Sequence, residues 1–233
     1  MELKYKRILI KVSGEALSSE GNIFDPAIID KTVADLKAIH DMGVELGIVM
    51  GGGNIWRGRE GREMDRPTAD YMGMLATAIN GLCLEDALIR AGVDCRLMTA
   101  FRIDKVGEMY DQRKAKDYLS EGKVLLFACG TGNPFFSTDS GAALRAAEID
   151  VDAMLLAKNI DGIYDSDPRK NPHAKKFEEI SYRDYLAMNL KVMDASAVAI
   201  CQDVGLPVVL FGLAEQDSIR RVVMGEKLGT LLH

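Results

Sequence analysis

Six stretches of the 233-residue chain carry apolar side chains at nearly every position instead of every second one. They are RILIKVSG (7–14), VELGIVMGGG (44–53), VDCRLMTA (93–100), KVLLFACG (123–130), VDAMLLA (151–157) and LPVVLFG (206–212). A strand with one face in water alternates, whereas a strand apolar throughout is covered on both faces, as in a parallel sheet flanked by helices. Helical patterns fill the gaps. Asp25-Pro26 supplies an N-cap and a first-turn proline, Ile29, Val33 and Leu36 share a face, and Gly43 marks the stop. Thr68 reads as the start of a second helix running to about Ala91 and closed by Gly92. Its Met72, Leu75, Ile79 and Leu82 form one stripe, with Met74 and Ile89 off it, so it is apolar on more than one side: one face for the sheet, the other for a subunit contact or further core. The expectation is an α/β fold, a mostly parallel central sheet covered on both faces. No linker, repeat or low-complexity stretch interrupts it, so one domain over residues 1–233 is expected.

Thirty-five acidic against 29 basic residues give a formal net charge of −6, and no Lys/Arg block occurs. Direct nucleic-acid binding is therefore not expected, although a small anion remains open as substrate. Cys83, Cys95, Cys129 and Cys201 form no CxxC pair and sit in apolar surroundings, which favours reduced, buried thiols. The apolar runs of MELKYKRILIKVSG are too short for a secretory signal, and no stretch reaches the roughly 18 apolar residues of a membrane span. A cytoplasmic location is expected.

In open α/β sheets ligands bind at the carboxyl ends of the strands. Three of those ends carry glycine: KVSG (11–14), GGGN (51–54) and GTGN (130–133). Successive amide N–H groups in such loops form anion-binding concavities, although a single glycine also ends strands for purely structural reasons. Together the three suggest more than one phosphate. Lys11, inside an apolar run, and Arg57, after the triple glycine, are candidate anion ligands, the alternative being that each snorkels into water. TGNPFFSTD (131–139) leaves a buried strand through Gly, Asn and Pro, presents two phenylalanines and reaches a helix start at Ser137, Thr138 and Asp139. The 158–175 segment is a long loop of the kind that often has a function. Neither GxxxxGK[ST] nor GxGxxG occurs, Gly162 breaks the EF-hand order around Asp161, Asp165 and Asp167, and His40, His173 and His233 lack zinc spacing.

KVSGEAL, GGGNIWRG, DYMGMLAT, GTGNPFFSTD, KNIDGIYDSDP and GEKLGTLL, read in order, resemble the bacterial uridylate kinases of the amino-acid kinase family. The resemblance implies an αβα sandwich that transfers the γ-phosphoryl group of ATP to UMP, with Mg²⁺ held mainly through nucleotide phosphates, in an allosteric hexamer. It further implies that Lys11, Val12, Ser13, Gly14, Gly53, Arg57, Asn159, Tyr164 and Asp167 contact ATP. On the UMP side it implies Gly52, Asp70 and the run Thr131, Gly132, Asn133, Pro134, Phe135, Phe136, Ser137 and Thr138, the two phenylalanines forming an apolar wall. Lys11, Arg57 and Asp139 are the implied catalytic set. For Phe135 and Phe136 simple packing is the alternative, and for Asp139 plain helix capping. SSEGNIFDP (18–26) departs from the glycine-rich loop that many uridylate kinases carry there in connection with GTP activation, so GTP control is not implied. Acetylglutamate, aspartate and carbamate kinases share the fold and the glycine loops, and a non-catalytic nucleotide binder is a further alternative. NPFFSTD and Asp70 favour a nucleotide acceptor.

Overall fold

The computed structural model describes residues 3–56, 63–213, 215 and 217–233. Among these, nine strands form one sheet: β1 (Arg7–Val12), β2 (Glu45–Met50), β3 (Cys95–Thr99), β4 (Glu108–Met109), β5 (Val124–Ala128), β6 (Ala153–Lys158), β7 (Glu179–Ile180), β8 (Val208–Gly212) and β9 (Thr230–Leu232). Their order is β4-β3-β5-β2-β1-β6-β8-β9-β7, and every pairing is parallel except β8 with β9. The six apolar runs are β1, β2, β3, β5, β6 and β8. The sequence reading had no β4, β7 or β9, each of two or three residues and too short to show a period.

The helices are α1 (Pro26–His40), α2 (Arg66–Arg90), α3 (Gln112–Ser120), α4 (Thr138–Glu148), α5 (Tyr182–Ala187), α6 (Ala195–Val204) and α7 (Ser218–Val223). They cover both faces. Along β1, Ile8 and Ile10 enter a core shared with Leu36 of α1, Leu84 of α2 and Val222 of α7, while Leu9 enters the opposite core with Ala142 of α4 and Val198 of α6. That two-residue period, buried on both sides, gives the unbroken apolar runs of the sequence.

Asp25 caps α1 as expected, accepting the N–H groups of Ala27 and Ile28. The start of α2 differs from expectation. Asp65, not Thr68, is its N-cap, and Thr68 is a residue of the first turn whose N–H that carboxylate accepts at 3.3 Å. The helix packs on the sheet with Met74, Ala78, Leu84 and Leu88, and Gly81 lies so close to Leu97 that a Cβ there would stand 2.7 Å from its Cδ1. The bulkier stripe of Tyr71, Leu75, Ile79 and Leu82 faces outward, 41–47% exposed. Among the described residues α2 alone is long and apolar enough to cross a membrane, but half of its apolar window is buried against the core.

Candidate active site

Four neighbouring parallel strands, β5, β2, β1 and β6, end at Ala128, Met50, Val12 and Lys158. Because they run the same way, their following loops converge at one edge of the sheet. There the Gly51 N–H donates to the Val12 carbonyl at 2.9 Å, joining the first two glycine loops. Ser13 caps the 3-10 turn Gly14–Leu17, its hydroxyl accepting the Glu15 N–H. Two glycines are required sterically: a Cβ on Gly14 would lie 2.2 Å from Asn54 Oδ1, and one on Gly52 would lie 2.9 Å from the Gly73 carbonyl oxygen. The third loop bends through left-handed backbone at Cys129, Gly130, Gly132 and Phe135. For Cys129 and Phe135 that conformation is uncommon and is held by the surrounding contacts.

Lys11 of β1, Lys158 at the end of β6 and Asp139 in the first turn of α4 meet at this edge. Asp139 stands 2.9 Å from the Lys11 ammonium and 3.4 Å from that of Lys158, which also donates to the Val192 carbonyl. Burial pushes the Asp139 carboxyl up, but the two ammonium groups outweigh it and hold it below the ordinary carboxylate range. Burial also lowers the Lys158 pKa, partly opposed by Asp139. Asp139 does not serve as the cap of α4, since that role falls to Ser137, whose hydroxyl accepts the Ser140 N–H. Lys158 was missed in the sequence reading, where it only opened a loop; its place at the end of an apolar run, like that of Lys11, was the available signal.

On one side of this charged group a cavity of about 890 Å³ is lined by Gly52, Gly53, Asp70, Thr131, Phe135, Phe136, Ser137 and Thr138 among others. Asp70, on α2, accepts the Phe135 N–H at 2.8 Å across 65 residues of sequence and takes both contacts of Arg66 Nε at 2.9 Å. The Arg66 guanidinium lies 5.6 Å from the centre of the Phe135 ring. Phe135 and Phe136 are exposed at the rim rather than packed inward. Gly132, Asn133 and Pro134 do not line this cavity, and Asn133 bonds back to Thr131. Trp56 also lines the cavity, its ring N–H donated to the Ala69 carbonyl.

On the other side a smaller cavity of about 260 Å³ is lined by Lys11, Ser13, Glu15, Lys158, Asn159 and Leu213 among others. Asn159 donates to Glu15 at 2.7 Å. The Val12 side chain is in the core, leaving only its backbone near the edge. Tyr164 and Asp167 do not line this cavity: the Tyr164 hydroxyl donates to Asp161, and Asp167 accepts the Arg169 N–H in a local turn. Gly14 lies beside the cavity at the 3-10 turn, and Arg57 lies outside the described residues.

The sequence matches the amino acid kinase family over residues 6–212. Among solved structures, UMP kinase from Bacillus anthracis is 38% identical with a TM-score of 0.95, over 98% of this chain and 96% of that one. UMP kinase from Ureaplasma parvum is 40% identical with a TM-score of 0.92, over 98% and 99%. Uridylate kinase from Archaeoglobus fulgidus, at 24% identity, TM-score 0.75 and coverage of 97% and 99%, shares the fold.

Proposed function

We propose that this chain, which belongs to the amino acid kinase family, transfers the γ-phosphoryl group of ATP to UMP, giving UDP and ADP for pyrimidine nucleotide synthesis. The observation that carries the reading is the bond from Asp70 to the Phe135 N–H, which draws the TGNPFFSTD loop over a cavity opening beside Lys11, Asp139 and Lys158. A carboxylate beside a loop rich in hydroxyls and backbone amides suits a ribose and a uracil edge. A carboxyl-type acceptor requires neither.

UMP presents an anionic phosphate that is already a competent nucleophile, so no general base is required, and catalysis rests on placing two phosphates in line and neutralising charge between them. Lys11 and Lys158 supply positive charge, and Asp139 holds both ammonium groups in place. The N–H groups of Gly52 and Gly53 face the transferring group, and Arg57 adds a further cation in this reading. Ser13, Gly14, the Val12 backbone and Asn159 take the ATP side, with Tyr164 and Asp167 reaching the adenosine from the 158–175 loop. With its carboxylate already paired to two ammonium groups, Asp139 is not free to ligate a metal, so Mg²⁺ would be held through the ATP phosphates and would supply charge neutralisation there.

The single domain over 1–233 is part of the proposal, supported by one sheet whose strands run from Arg7 to Leu232. A homo-oligomer, a hexamer by resemblance, is supported by the outward stripe of α2. Cytoplasmic residence agrees with ATP as donor and with four free cysteines. The test follows ADP release from ATP and Mg²⁺ with UMP, CMP, acetylglutamate, aspartate and carbamate offered separately. Turnover with UMP is expected, and turnover only with an acid acceptor overturns the reading.

A further inference from the structure

Thr77 and Asn80, less than one turn apart on α2, are buried polar residues on a helix otherwise packed through alanine, leucine and methionine. A buried carboxamide costs about 1–3 kcal/mol unless its hydrogen-bonding groups are met. Asn80 meets them fully. Its Nδ2 donates to the Gly51 carbonyl at 2.6 Å and to Asn54 Oδ1 at 2.7 Å, while its Oδ1 accepts from Asn54 Nδ2 at 3.1 Å. The other Asn54 N–H reaches the Ile23 carbonyl at 3.1 Å. With the amides oriented as this network requires, the two side chains form a cyclic pair that uses every N–H they have.

The partners of the pair lie in the phosphate loops. Gly51 precedes Gly52 and Gly53, and the Asn54 oxygen occupies the space that a Gly14 side chain would need. Thr77 makes the matching attachment on the acceptor side. Its hydroxyl donates to the Met74 carbonyl at 2.6 Å and accepts the N–H of Cys129, two residues before the TGNPFFSTD segment, at 2.8 Å. One stretch of rigid helix thereby holds the loops of both substrates.

We propose that Asn80, paired with Asn54, is a positioning residue for phosphoryl transfer. It fixes the Gly51–Gly53 amides relative to Lys11, Asp139 and Lys158, while Thr77 fixes the acceptor loop from the same helix face. The inference rests on the reading given under Proposed function. In-line transfer depends on such spacing, because a misplacement of about 1 Å costs on the order of 100-fold in rate.

Asn80→Asp keeps the shape and one acceptor but removes both donors and sets a carboxylate against the Gly51 and Asn54 oxygens. With ATP and UMP, kcat is expected to fall roughly 10- to 100-fold, with the Kd of UMP and of ATP by titration changed by less than about threefold. Asn54→Ala, at a half-buried loop position, shifts kcat the same way, and the double variant is no worse than the poorer single variant. Thr77→Val lowers kcat and Thr77→Ser restores it. Thermal unfolding identifies the folded variants, and if Asn80→Asp does not fold, Asn54→Ala and the Thr77 pair carry the test. A folded Asn80→Asp or Asn54→Ala with kcat within about twofold of the wild type, or with affinity falling in step with kcat, overturns the inference alone. A wild type inactive on UMP overturns the functional reading and this one with it.

Discussion

Replacing Asp139 with asparagine keeps the shape of the side chain and removes the buried charge that two half-buried lysines share. The carboxylate lies 2.9 Å from Lys11 and 3.4 Å from Lys158, separations at which an effective dielectric of about 20 gives gross attractions of ~6 and ~5 kcal/mol. Desolvation offsets much of that, and breaking a buried pair from one side costs about 3–5 kcal/mol because unpaired charge remains. The unfolding free energy of Asp139→Asn at neutral pH, from urea titration, is expected to fall by about that 3–5 kcal/mol. Its pH dependence separates charge from packing. Burial already lowers the Lys158 pKa and Asp139 opposes it, so the variant's Lys158 drops further. Between that depressed value and the ordinary value of about 10.4 the native state binds fewer protons than the unfolded chain, so stability rises with pH, more steeply than in the wild type. At the acid end the slope has the same sign but comes from a stabilising group. Asp139 is depressed in the folded wild type, so its contribution is present above about pH 4 and is lost as pH falls through the folded value, a limb the variant lacks. A variant as stable as the wild type, with an equally shallow profile from about pH 7 to 10, refutes the argument.

Three further outcomes are expected. Gly52→Ala forces a Cβ to within 2.9 Å of the Gly73 carbonyl and 3.0 Å of the Ala76 Cβ. It should lose about 1–3 kcal/mol of stability and most of its kcat, and a fully active, equally stable variant contradicts the close approach. Asp70→Asn removes the charge facing Arg66 while leaving an oxygen for Phe135. The KM for UMP should rise about tenfold or more with kcat little changed, and a normal KM refutes the ribose role. Leu75→Glu with Ile79→Glu places charge on the exposed stripe of α2. Light scattering should report a smaller particle than the wild type, and an unchanged mass removes this face from the proposed assembly.

The same stripe marks a limit of sequence reading. Met72, Leu75, Ile79 and Leu82 stand out by hydrophobicity, yet the sheet is met by Met74, Leu84, Leu88 and small residues such as Ala78 and Gly81. Close packing rewards surfaces that let helix and sheet approach, which a count of apolar bulk does not detect. Local signals were read correctly where the physics is local: the Asp25 cap, Pro26 at the first turn, and six apolar runs buried on both faces. At α2 the sequence reading placed the start at Thr68, whereas the cap is Asp65, three residues earlier, whose carboxylate accepts the Thr68 N–H.

The residues of the candidate site divide in the same way. Lys11, the glycine loops and the TGNPFFSTD segment were legible because a charge or a run of glycines at the end of an apolar strand is unusual within its own stretch of chain. Arg66, Asn54 and Asn80 had no such local mark, and Lys158, which carried it at the end of the β6 run, was passed over. Lys158 reaches Asp139 because β6 pairs with β1 in a register that sets Leu156 beside Lys11 and carries the strand end to the same edge. Asn80 reaches Gly51 across 29 residues, and Asp70 reaches Phe135 across 65. The sequence by itself determined which segments become buried strands and capped helices, because periodicity and capping depend on near neighbours. Only the tertiary structure decided which charges share a carboxylate and which amides face each other, because those contacts depend on strand order and helix packing between distant parts of the chain.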